Sequence, residues 1–285
     1  MEPLTWFITG ASRGFGLEIA RAALERGGAV VATARKPAEI TKALGPRQQL
    51  LAVELDVTKE AQAQAAVGSA LQRFGQIDVL VNNAGRGWLG AVEEASAEEV
   101  RAALALNVEG LLMVTRAVLP TMRARRSGRI LNMSSVGGFR AWPGWGIYGA
   151  TKFAVEGLSE AMQAELLPLG IRVTIIEPGA FRADFLDSSS LVHSERVIDD
   201  YSQTSGASRQ WADTTSHGQL GDPAKGAAAI VAIATSADPP QRVPLGTDCV
   251  AQVEAKLARV AYELARWRNL TESTDHQANM KAPAA

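Results

Sequence analysis

The chain reads Thr9-Gly10-Ala11-Ser12-Arg13-Gly14-Phe15-Gly16 between an apolar run, Leu4–Thr9, and a segment with helical spacing, Gly16–Arg26. The glycines permit a tight turn and let the backbone approach a phosphate, while the following helix N-terminus offers free N–H groups to an anion. A glycine-rich turn alone could be an ordinary strand–helix connection, but the strand before it and the helix after it favour a phosphate-binding loop. The spacing is Gly-x-x-x-Gly-x-Gly rather than the commoner Gly-x-Gly-x-x-Gly.

Outward from this loop, two kinds of segment alternate as far as about residue 180. The short β-rich runs are Leu4–Thr9, Ala29–Thr33, Leu50–Leu55, Ile77–Val81, Arg129–Met133 and Ile171–Ile176. The segments with helical spacing are Gly16–Arg26, Lys59–Phe74, Ala97–Arg125 and Tyr148–Leu167. Strands that alternate with helices indicate a parallel sheet covered on both faces. The predicted fold class is therefore α/β: a single-domain, Rossmann-type, doubly wound parallel sheet with helices on both faces, over residues 1–268.

The pattern changes in the last third of the chain. The segment Leu186–Asp222 is rich in Ser, Thr, Asp and Gln, and its length indicates either a substrate lid or partial disorder. The expected later elements are a helix over Pro223–Thr235, a strand near Arg242–Leu245 and a last helix capped by Asp248 and ending at Trp267. Residues 269–285 are polar and are expected to form a flexible tail.

Composition narrows the class of protein. Apolar residues make up 47% of the 285 residues, charged residues 21%, and the net charge is −1, so neither a nucleic-acid nor a membrane partner is expected. The single Cys249 excludes an intrachain disulfide and fits a cytoplasmic location. We see no signal peptide and no run of about 18 uninterrupted apolar residues that would predict a transmembrane helix. His193 and His217 lack ligand spacing, so no metal site is expected.

A tyrosine and a lysine stand four residues apart at the start of a helical segment. Tyr148 and Lys152 would therefore share one helix face. A phenol has an ordinary pKa of about 10 and is a poor base near neutral pH, but a neighbouring ammonium lowers that pKa. Most such pairs are surface decoration. Here Ser135 follows the strand Arg129–Met133 at the sheet edge where open α/β folds bind ligands, although Ser134 competes for the same role.

Several sequence blocks, in this order, resemble the short-chain dehydrogenase/reductase superfamily, in the branch with Thr-Gly-x-x-x-Gly-x-Gly. The blocks are Thr9–Gly16, Asp56-Val57, Asn82-Asn83-Ala84-Gly85, Asn107, Ser134-Ser135, Tyr148-x-x-x-Lys152 and Pro178-Gly179. The resemblance covers residues 4–185 closely and the rest more loosely. It implies an oxidoreductase that transfers a hydride between NADP(H) and a carbonyl or secondary alcohol of a small molecule. It also implies a homodimer or homotetramer.

The same resemblance assigns roles to individual residues. Ser135, 13 residues before Tyr148 as in the family, would bind the substrate oxygen, and Tyr148 would donate the proton. Lys152 would lower the Tyr148 pKa and hold the nicotinamide ribose, while Asn107 would kink its helix and hold a relay water. Asp56 and Asn83 would border the adenine. The implied cofactor-binding residues are Gly10, Ser12, Arg13, Gly14, Phe15, Gly16, Arg35, Asp56, Val57, Asn83, Ala84, Gly85, Tyr148, Lys152, Pro178, Gly179 and Phe181.

The choice of NADP(H) rests on the end of the second strand. The run Ala29–Thr33 is followed by Ala34-Arg35, without the acid that holds the ribose hydroxyls in NAD enzymes. Arg13 and Arg35 could grip a 2′-phosphate, unless both are solvated surface arginines. One departure concerns the nicotinamide. The family often reads Pro-Gly-x-x-x-Thr, with the threonine on the carboxamide, whereas this chain reads Pro178-Gly179-Ala180-Phe181-Arg182-Ala183.

Aromatic residues follow several strands at the expected active edge. They are Trp88, Phe139, Trp142, Trp145, Phe181 and Phe185. They predict a bulky apolar substrate, with roughly half of them packing elsewhere. The alternative function is a redox-sensing regulatory protein that binds NADP(H) without turnover, and the complete set of catalytic residues favours the enzyme. A weaker alternative is an epimerase or dehydratase acting on an activated sugar.

Overall fold

A computed structural model describes residues 3–276. The strands are β1 (Thr5–Ile8), β2 (Ala29–Ala34), β3 (Leu50–Glu54), β4 (Val79–Asn82), β5 (Gly87–Leu89), β6 (Gly128–Met133), β7 (Ile171–Pro178), β8 (Leu191–His193) and β9 (Arg242–Leu245). The helices are α1 (Gly14–Glu25), α2 (Pro37–Leu44), α3 (Glu60–Phe74), α4 (Ala97–Leu104), α5 (Gly110–Arg125), α6 (Val136–Phe139), α7 (Gly146–Leu166), α8 (Ala207–Thr215), α9 (Pro223–Thr235) and α10 (Thr247–Glu272).

Seven strands form one parallel sheet in the order β3-β2-β1-β4-β6-β7-β9. The chain starts at the middle with β1, moves outward to β3, and then crosses back to β4 on the other side of β1. This reversal confirms the predicted doubly wound sheet. It also places the C-terminal ends of β1 and β4 side by side, at the position where such folds bind ligands.

Alternate side chains of each strand enter two separate cores. In β1, Trp6 and Ile8 belong to the core beneath α1, α2 and α9, whereas Phe7 belongs to the core beneath α3, α5 and α7. All three side chains are at most 2% exposed. Because both faces are covered, the strands can be apolar at nearly every position, which explains the unbroken apolar runs in the sequence.

The segment Leu186–Asp222, expected to be a lid or partly disordered, is built from short elements. It holds β8, which pairs with β5 in a two-stranded sheet, then a π-helical turn at Ser202–Gly206 and helix α8. The helix α2 was not predicted at all. Its eight residues begin at Pro37, which suits the first turn of a helix because the missing N–H has no partner there.

The C-terminal helix differs from its prediction at both ends. It begins at Thr247 after Gly246, and Asp248 does not cap it, because the Asp248 carboxylate accepts a hydrogen bond from the Ala180 N–H instead. The helix runs to Glu272 rather than Trp267, so the first residues of the expected tail are helical. Residues 277–285 of that tail lie outside the described structure.

Among the described residues, one helical run is long and apolar enough to cross a membrane. It is Ala97–Arg125, whose most apolar 18 residues have a mean hydropathy of 1.6. Core helices of soluble proteins meet the same criterion, and part of this run packs against α3 and the sheet. The run therefore carries little weight as evidence for a membrane, and the absence of a membrane partner stays a prediction.

Candidate active site

The glycine loop lies at the C-terminal end of β1 and opens α1. Gly10 and Gly14 have φ angles of +65° and +55°, which favour glycine. A Cβ atom on Gly16 would lie 2.4 Å from the Gly10 carbonyl oxygen, and one on Gly10 would lie 2.9 Å from Ala84 Cα. The first turn of α1 holds no acidic residue and no side-chain cap, so its N–H groups are available to an anion. The cradle fits the phosphates of a dinucleotide.

Asn83 ties the end of β4 to the glycine loop. Its side-chain Nδ2 donates to the carbonyls of Thr9 at 2.9 Å and Gly10 at 3.1 Å. In return, Thr9 Oγ1 accepts from the backbone N–H groups of Asn83 and Ala84, both at 3.0 Å. The amide expected to border the adenine is thus engaged in shaping the loop. Beyond it, a Cβ atom on Gly85 would lie 3.1 Å from Asn107 Oδ1 and 3.7 Å from Lys152 Nζ, so glycine lets the chain pass close to both side chains.

The residues expected around the adenosine follow β2 and β3. Arg35 is exposed directly after β2, and Val57 is buried against Gly110. Burial acts to raise the pKa of Asp56, but hydrogen bonds from Thr58 and the positive charges of Lys59 and Arg35 hold that pKa below its ordinary value. The Asp56 carboxylate is therefore ionised.

Arg13 lies on the other side of this region. It is exposed in the glycine loop, next to the partly buried Ser12, and its guanidinium donates to the Ser189 carbonyl at 2.7 Å. Arg13 and Arg35 both stand at the C-terminal edge of the sheet, as expected. The sequence did not indicate that Arg13 also contacts the Leu186–Asp222 segment.

Asn107 sits in a π-helical turn, Ala105–Glu109, that separates α4 from α5. Its Nδ2 donates to the Arg86 carbonyl at 2.9 Å and to Thr151 Oγ1 at 3.0 Å, and its Oδ1 accepts from the Arg86 N–H at 3.0 Å. Thr151 Oγ1 in turn donates to the Tyr148 carbonyl at 2.7 Å. The expected irregularity at Asn107 is present, and it locks the helix with Tyr148 to the end of β4.

Of the two neighbouring serines, Ser135 is the one beside the phenol of Tyr148. Its Oγ accepts from the Gly137 N–H at 3.0 Å as the N-cap of α6. The Ser134 hydroxyl donates to the buried carboxylate of Glu156 and is thereby engaged away from Tyr148. The choice of Ser135 from spacing therefore agrees with the geometry.

Tyr148 and Lys152 are both buried on one face of α7. Burial raises the pKa of Tyr148 to about 12, while the neighbouring Ser135 hydroxyl acts to lower it. Burial also lowers the pKa of Lys152 to about 8, against the influence of the Glu156 carboxylate. The expected lowering of the Tyr148 pKa by Lys152 is not found in this structure. Lys152 Nζ donates to the Met133 carbonyl at 2.7 Å and lies 5.8 Å from the centroid of the phenol ring, so desolvation dominates.

Ser135, Tyr148 and Lys152 line a cavity of about 560 Å³. Four of the six aromatics expected there contribute to its wall: Trp142, Trp145, Phe181 and Phe185. The other two pack elsewhere, because Trp88 is buried with its Nε1 donating to Glu99 and Phe139 lies under the Arg242 guanidinium. Phe15 and Trp211 add further apolar surface. The polar groups are few, which suits a bulky apolar ligand.

The wall between the glycine loop and Tyr148 is formed by the residues after β7. Pro178 ends β7 and Gly179 follows it, where a Cβ atom would lie 2.3 Å from the Asp248 carboxylate. The ring of Phe181 packs on Phe15 with centroids 4.9 Å apart. Ala183 lines the cavity, as do Asp248, which the sequence had suggested only as a helix cap, and Gln219, which the sequence had not singled out.

The fold also brings Asp184, Asp187 and His217 together, with possible ligand atoms within 4.8 Å of one another. His217 Nε2 lies 3.1 Å from the Asp187 carboxylate. Spacing along the chain did not indicate this group. The expectation that the protein uses no metal stays a prediction.

Comparison with known proteins agrees with this geometry. The family described as short chain dehydrogenase matches residues 5–191. The 3-ketodihydrosphingosine reductase of Bacteroides thetaiotaomicron is 38% identical over 246 residues, which cover 86% of this chain and 89% of that protein.

Solved structures show the same relationship. A short-chain dehydrogenase from Streptomyces avermitilis superposes with a TM-score of 0.89 at 40% identity, covering 96% of this chain and 99% of the other. A short-chain dehydrogenase/reductase from Burkholderia phymatum, solved in complex with NAD, has a TM-score of 0.79 at 25% identity, with coverages of 92% and 95%. The chain is therefore an oxidoreductase that belongs to the short-chain dehydrogenase family.

Proposed function

We propose that the protein interconverts a carbonyl and a secondary alcohol on a bulky apolar substrate, that it uses NADP(H), and that Tyr148 exchanges the proton. One observation carries the proposal: Tyr148, Ser135 and Lys152 line the same cavity as the aromatic wall. The glycine cradle lies next to that cavity through Phe15. One dinucleotide can therefore bind with its phosphates at the glycine loop while the reacting carbon of the substrate lies at Tyr148.

The cofactor would be held at the C-terminal edge of the sheet. The glycine loop would take the phosphates, Asp56 and Val57 would lie beside the adenosine, and Lys152 would hold the nicotinamide ribose. When bound, the dinucleotide supplies or accepts the hydride. These assignments draw support from the cradle that admits only glycine at Gly16 and from the relative solved with NAD.

The protein side chains would then manage the proton. Ser135 binds the substrate oxygen, and Tyr148 donates its proton to that oxygen as negative charge develops there. With a pKa raised to about 12, the phenol is fully protonated at neutral pH, which is the state that reduction requires. Asn107 holds α7 in place through Thr151.

The direct test is the change Tyr148→Phe. Turnover of the best ketone or aldehyde in a panel should fall about 10²–10⁴-fold, since that is the usual contribution of a positioned acid–base group. The dissociation constant for NADPH should change little. The matched control is Tyr262→Phe, at a phenol that is 64% exposed on α10, which should leave kcat unchanged. An unchanged kcat in Tyr148→Phe would refute the mechanism.

The alternative of a redox sensor without turnover predicts NADP(H) binding but no substrate. Ser135, Tyr148 and Lys152 line one cavity, and Asn107 fixes the helix that carries Tyr148 through Thr151. This arrangement favours the enzyme, because mere binding would not require a buried proton donor. The relative named 3-ketodihydrosphingosine reductase also favours an enzyme. Ketones with long alkyl chains should therefore be among the first substrates assayed.

The preference for NADP(H) rests on Arg13, Arg35 and the missing acid at Ala34, the last residue of β2. The wild type should show a higher kcat/KM with NADPH than with NADH, because two guanidinium groups favour a 2′-phosphate. The double change Ala34→Asp with Arg35→Ala should erase that preference. Equal kcat/KM values for both cofactors in the wild type would contradict the assignment.

We also propose that the segment Leu186–Asp222 is a substrate lid. Helix α8 brings Trp211 to the cavity wall, and this indole is 45% exposed. The buried carboxylate of Glu94 anchors the segment, since it accepts from the Ile198 N–H at 2.8 Å and pairs with Arg209. Arg209 lies in the first turn of α8, so the fixed part of the segment includes the start of that helix, and motion would be confined to the chain from Trp211 onward unless the Glu94–Arg209 pair breaks.

Limited proteolysis tests the lid. Cleavage around α8 should be fast in the free protein and slower with NADP⁺ and a product analogue, because closure would protect the backbone. Trp211→Ala should raise KM for apolar substrates. Cleavage that ligands leave unaffected would show that the segment is a passive surface insertion.

A further inference from the structure

One polar side chain in the cavity wall is buried without a partner. Gln219 is 3% exposed, and neither its Nε2 nor its Oε1 has a hydrogen-bond partner among the described residues. Buried amides almost always form hydrogen bonds, because leaving the donor and the acceptor unpaired is costly. Gln219 lines the cavity while both atoms of its amide are buried without a partner, so a small turn of the side chain toward the cavity would let the amide pair with a ligand group that supplies both an acceptor and a donor.

The position of Gln219 limits which part of a ligand it can meet. Its backbone carbonyl accepts from Arg182 Nε at 3.3 Å, and Gly221 forms a parallel bridge with Phe181. The 219–221 strip is therefore fastened to the residues after β7, and Phe181 packs on Phe15 of the glycine loop. Gln219 thus belongs to the wall between the phosphate cradle and Tyr148.

None of the other side chains described in this wall carries an amide, and the Asp248 carboxylate can only accept and is already engaged by the Ala180 N–H. Phe15 and Phe181 are aromatic, and Ala183 carries only a methyl group, which lies 4.0 Å from where a Cβ atom on Gly14 would be. The nicotinamide ring would lie between the glycine loop and Tyr148, and its carboxamide has one carbonyl acceptor and one NH₂ donor. A side-chain amide is its direct complement, since each can donate to and accept from the other.

We propose that the side-chain amide of Gln219 binds the carboxamide of the nicotinamide ring and thereby sets the ring's orientation. This inference rests on the proposed function, because it requires a nicotinamide cofactor in the cavity. It assigns a positioning role to a residue of the C-terminal third of the chain, 36 positions beyond Ala183.

The test measures binding, without substrate, by titration calorimetry on the full chain. The change Gln219→Leu should raise the Kd of NADP⁺ roughly tenfold, equivalent to about 1.4 kcal/mol, because two neutral hydrogen bonds are lost. The Kd of 2′-phospho-ADP-ribose, which lacks the nicotinamide, should stay within about twofold. NAD⁺ and ADP-ribose are titrated in the same way, so the result does not depend on the preference for NADP(H).

An analogue of NADP⁺ with a 3-acetyl group in place of the carboxamide gives a second readout. It keeps the carbonyl acceptor and loses the NH₂ donor. The wild type should bind NADP⁺ more tightly than this analogue, and Gln219→Leu should bind the two equally. The matched control is Gln252→Leu in the same cavity, which should preserve the wild-type ratio because the Gln252 amide is already engaged by Arg140.

Folding is checked by circular dichroism and by the urea unfolding midpoint, with Gln219→Met as a second variant of closer shape. If Gln219→Leu weakens the binding of NADP⁺ and of 2′-phospho-ADP-ribose equally, or weakens neither, the role of Gln219 is overturned and the proposed function stays intact. If the wild type binds neither dinucleotide, both the proposed function and this inference fail.

Discussion

Arg242 on β9 neutralises a group of glutamates behind the active site, and removing it should destabilise the fold in a pH-dependent way. Its guanidinium lies 2.8 Å from Glu156, 2.9 Å from Glu160 and 2.6 Å from Glu177. The Glu177 side chain is fully buried. Burial and the neighbouring Glu156 raise the pKa of Glu177 to about 7, and Arg242 acts to lower it. The change Arg242→Ala should therefore raise that pKa further.

The magnitude follows from the proton balance of Glu177. A carboxyl whose pKa is higher in the folded state binds more protons there, so its contribution to stability is complete below the unfolded pKa and is lost as pH rises through the folded pKa. At pH 5 Glu177 is protonated in both folded proteins, and the variant should lose about 1.5 kcal/mol through the other two contacts. Above pH 7 the variant keeps the Glu177 proton where the wild type loses it, and each unit by which the Glu177 pKa rises adds about 1.4 kcal/mol. The total loss at pH 8 should be about 3 kcal/mol, near the lower end for a buried pair because Arg242 is partly exposed.

Urea unfolding of the wild type and of Arg242→Ala at pH 5 and pH 8 measures the loss of unfolding free energy at each pH. The control is Arg172→Ala on the neighbouring β7, because within residues 3–276 Arg172 forms an ion pair with Asp238 alone, whose side chain is 88% exposed. This change should cost less than about 1 kcal/mol at either pH. If Arg242→Ala loses the same free energy at pH 5 and pH 8, Glu177 does not titrate in this range and the reasoning is wrong.

Three further predictions concern the site and the assembly. Gly16→Ala should abolish measurable NADPH binding in fluorescence titrations, because its Cβ atom would lie 2.4 Å from the Gly10 carbonyl oxygen; unchanged affinity would contradict the cradle. Asn107→Leu should lower kcat at least tenfold, because the Arg86 backbone and Thr151 lose their hydrogen bonds to Asn107. Full activity, with an unchanged loop at Arg86 in a crystal structure of the variant, would exclude this positioning role of Asn107. In light scattering at micromolar concentration, the protein should have the mass of a dimer or tetramer assembled on α5 and α7, and a monomer mass would count against that assembly.

The sequence by itself determined the fold and singled out the candidate reacting groups. The glycine loop, the unbroken apolar strands and the alternating helices were sufficient for the doubly wound sheet, because these are local patterns with a direct steric and hydrophobic cause. The spacing from Ser135 to Tyr148 also pointed to the serine that the fold places beside the phenol, and the catalytic role of Ser135 stays a prediction. The glycine loop, the apolar strands and the serine–tyrosine spacing can be predicted from the sequence because their residues belong to single elements or to consecutive strand ends.

Only the tertiary structure decided which polar groups are buried and what they contact. Gln219 lies in a polar segment where nothing distinguishes it from the exposed Gln210, and its isolation follows from packing against residues near Phe181. Asp248 has the pattern of a helix cap, yet its carboxylate binds the Ala180 N–H, 68 positions away. Lys152 has the spacing of a group that lowers the Tyr148 pKa, but burial of the phenol by the surrounding fold raises that pKa instead. Burial and long-range contact set these properties, and neither is encoded in the order of neighbouring residues.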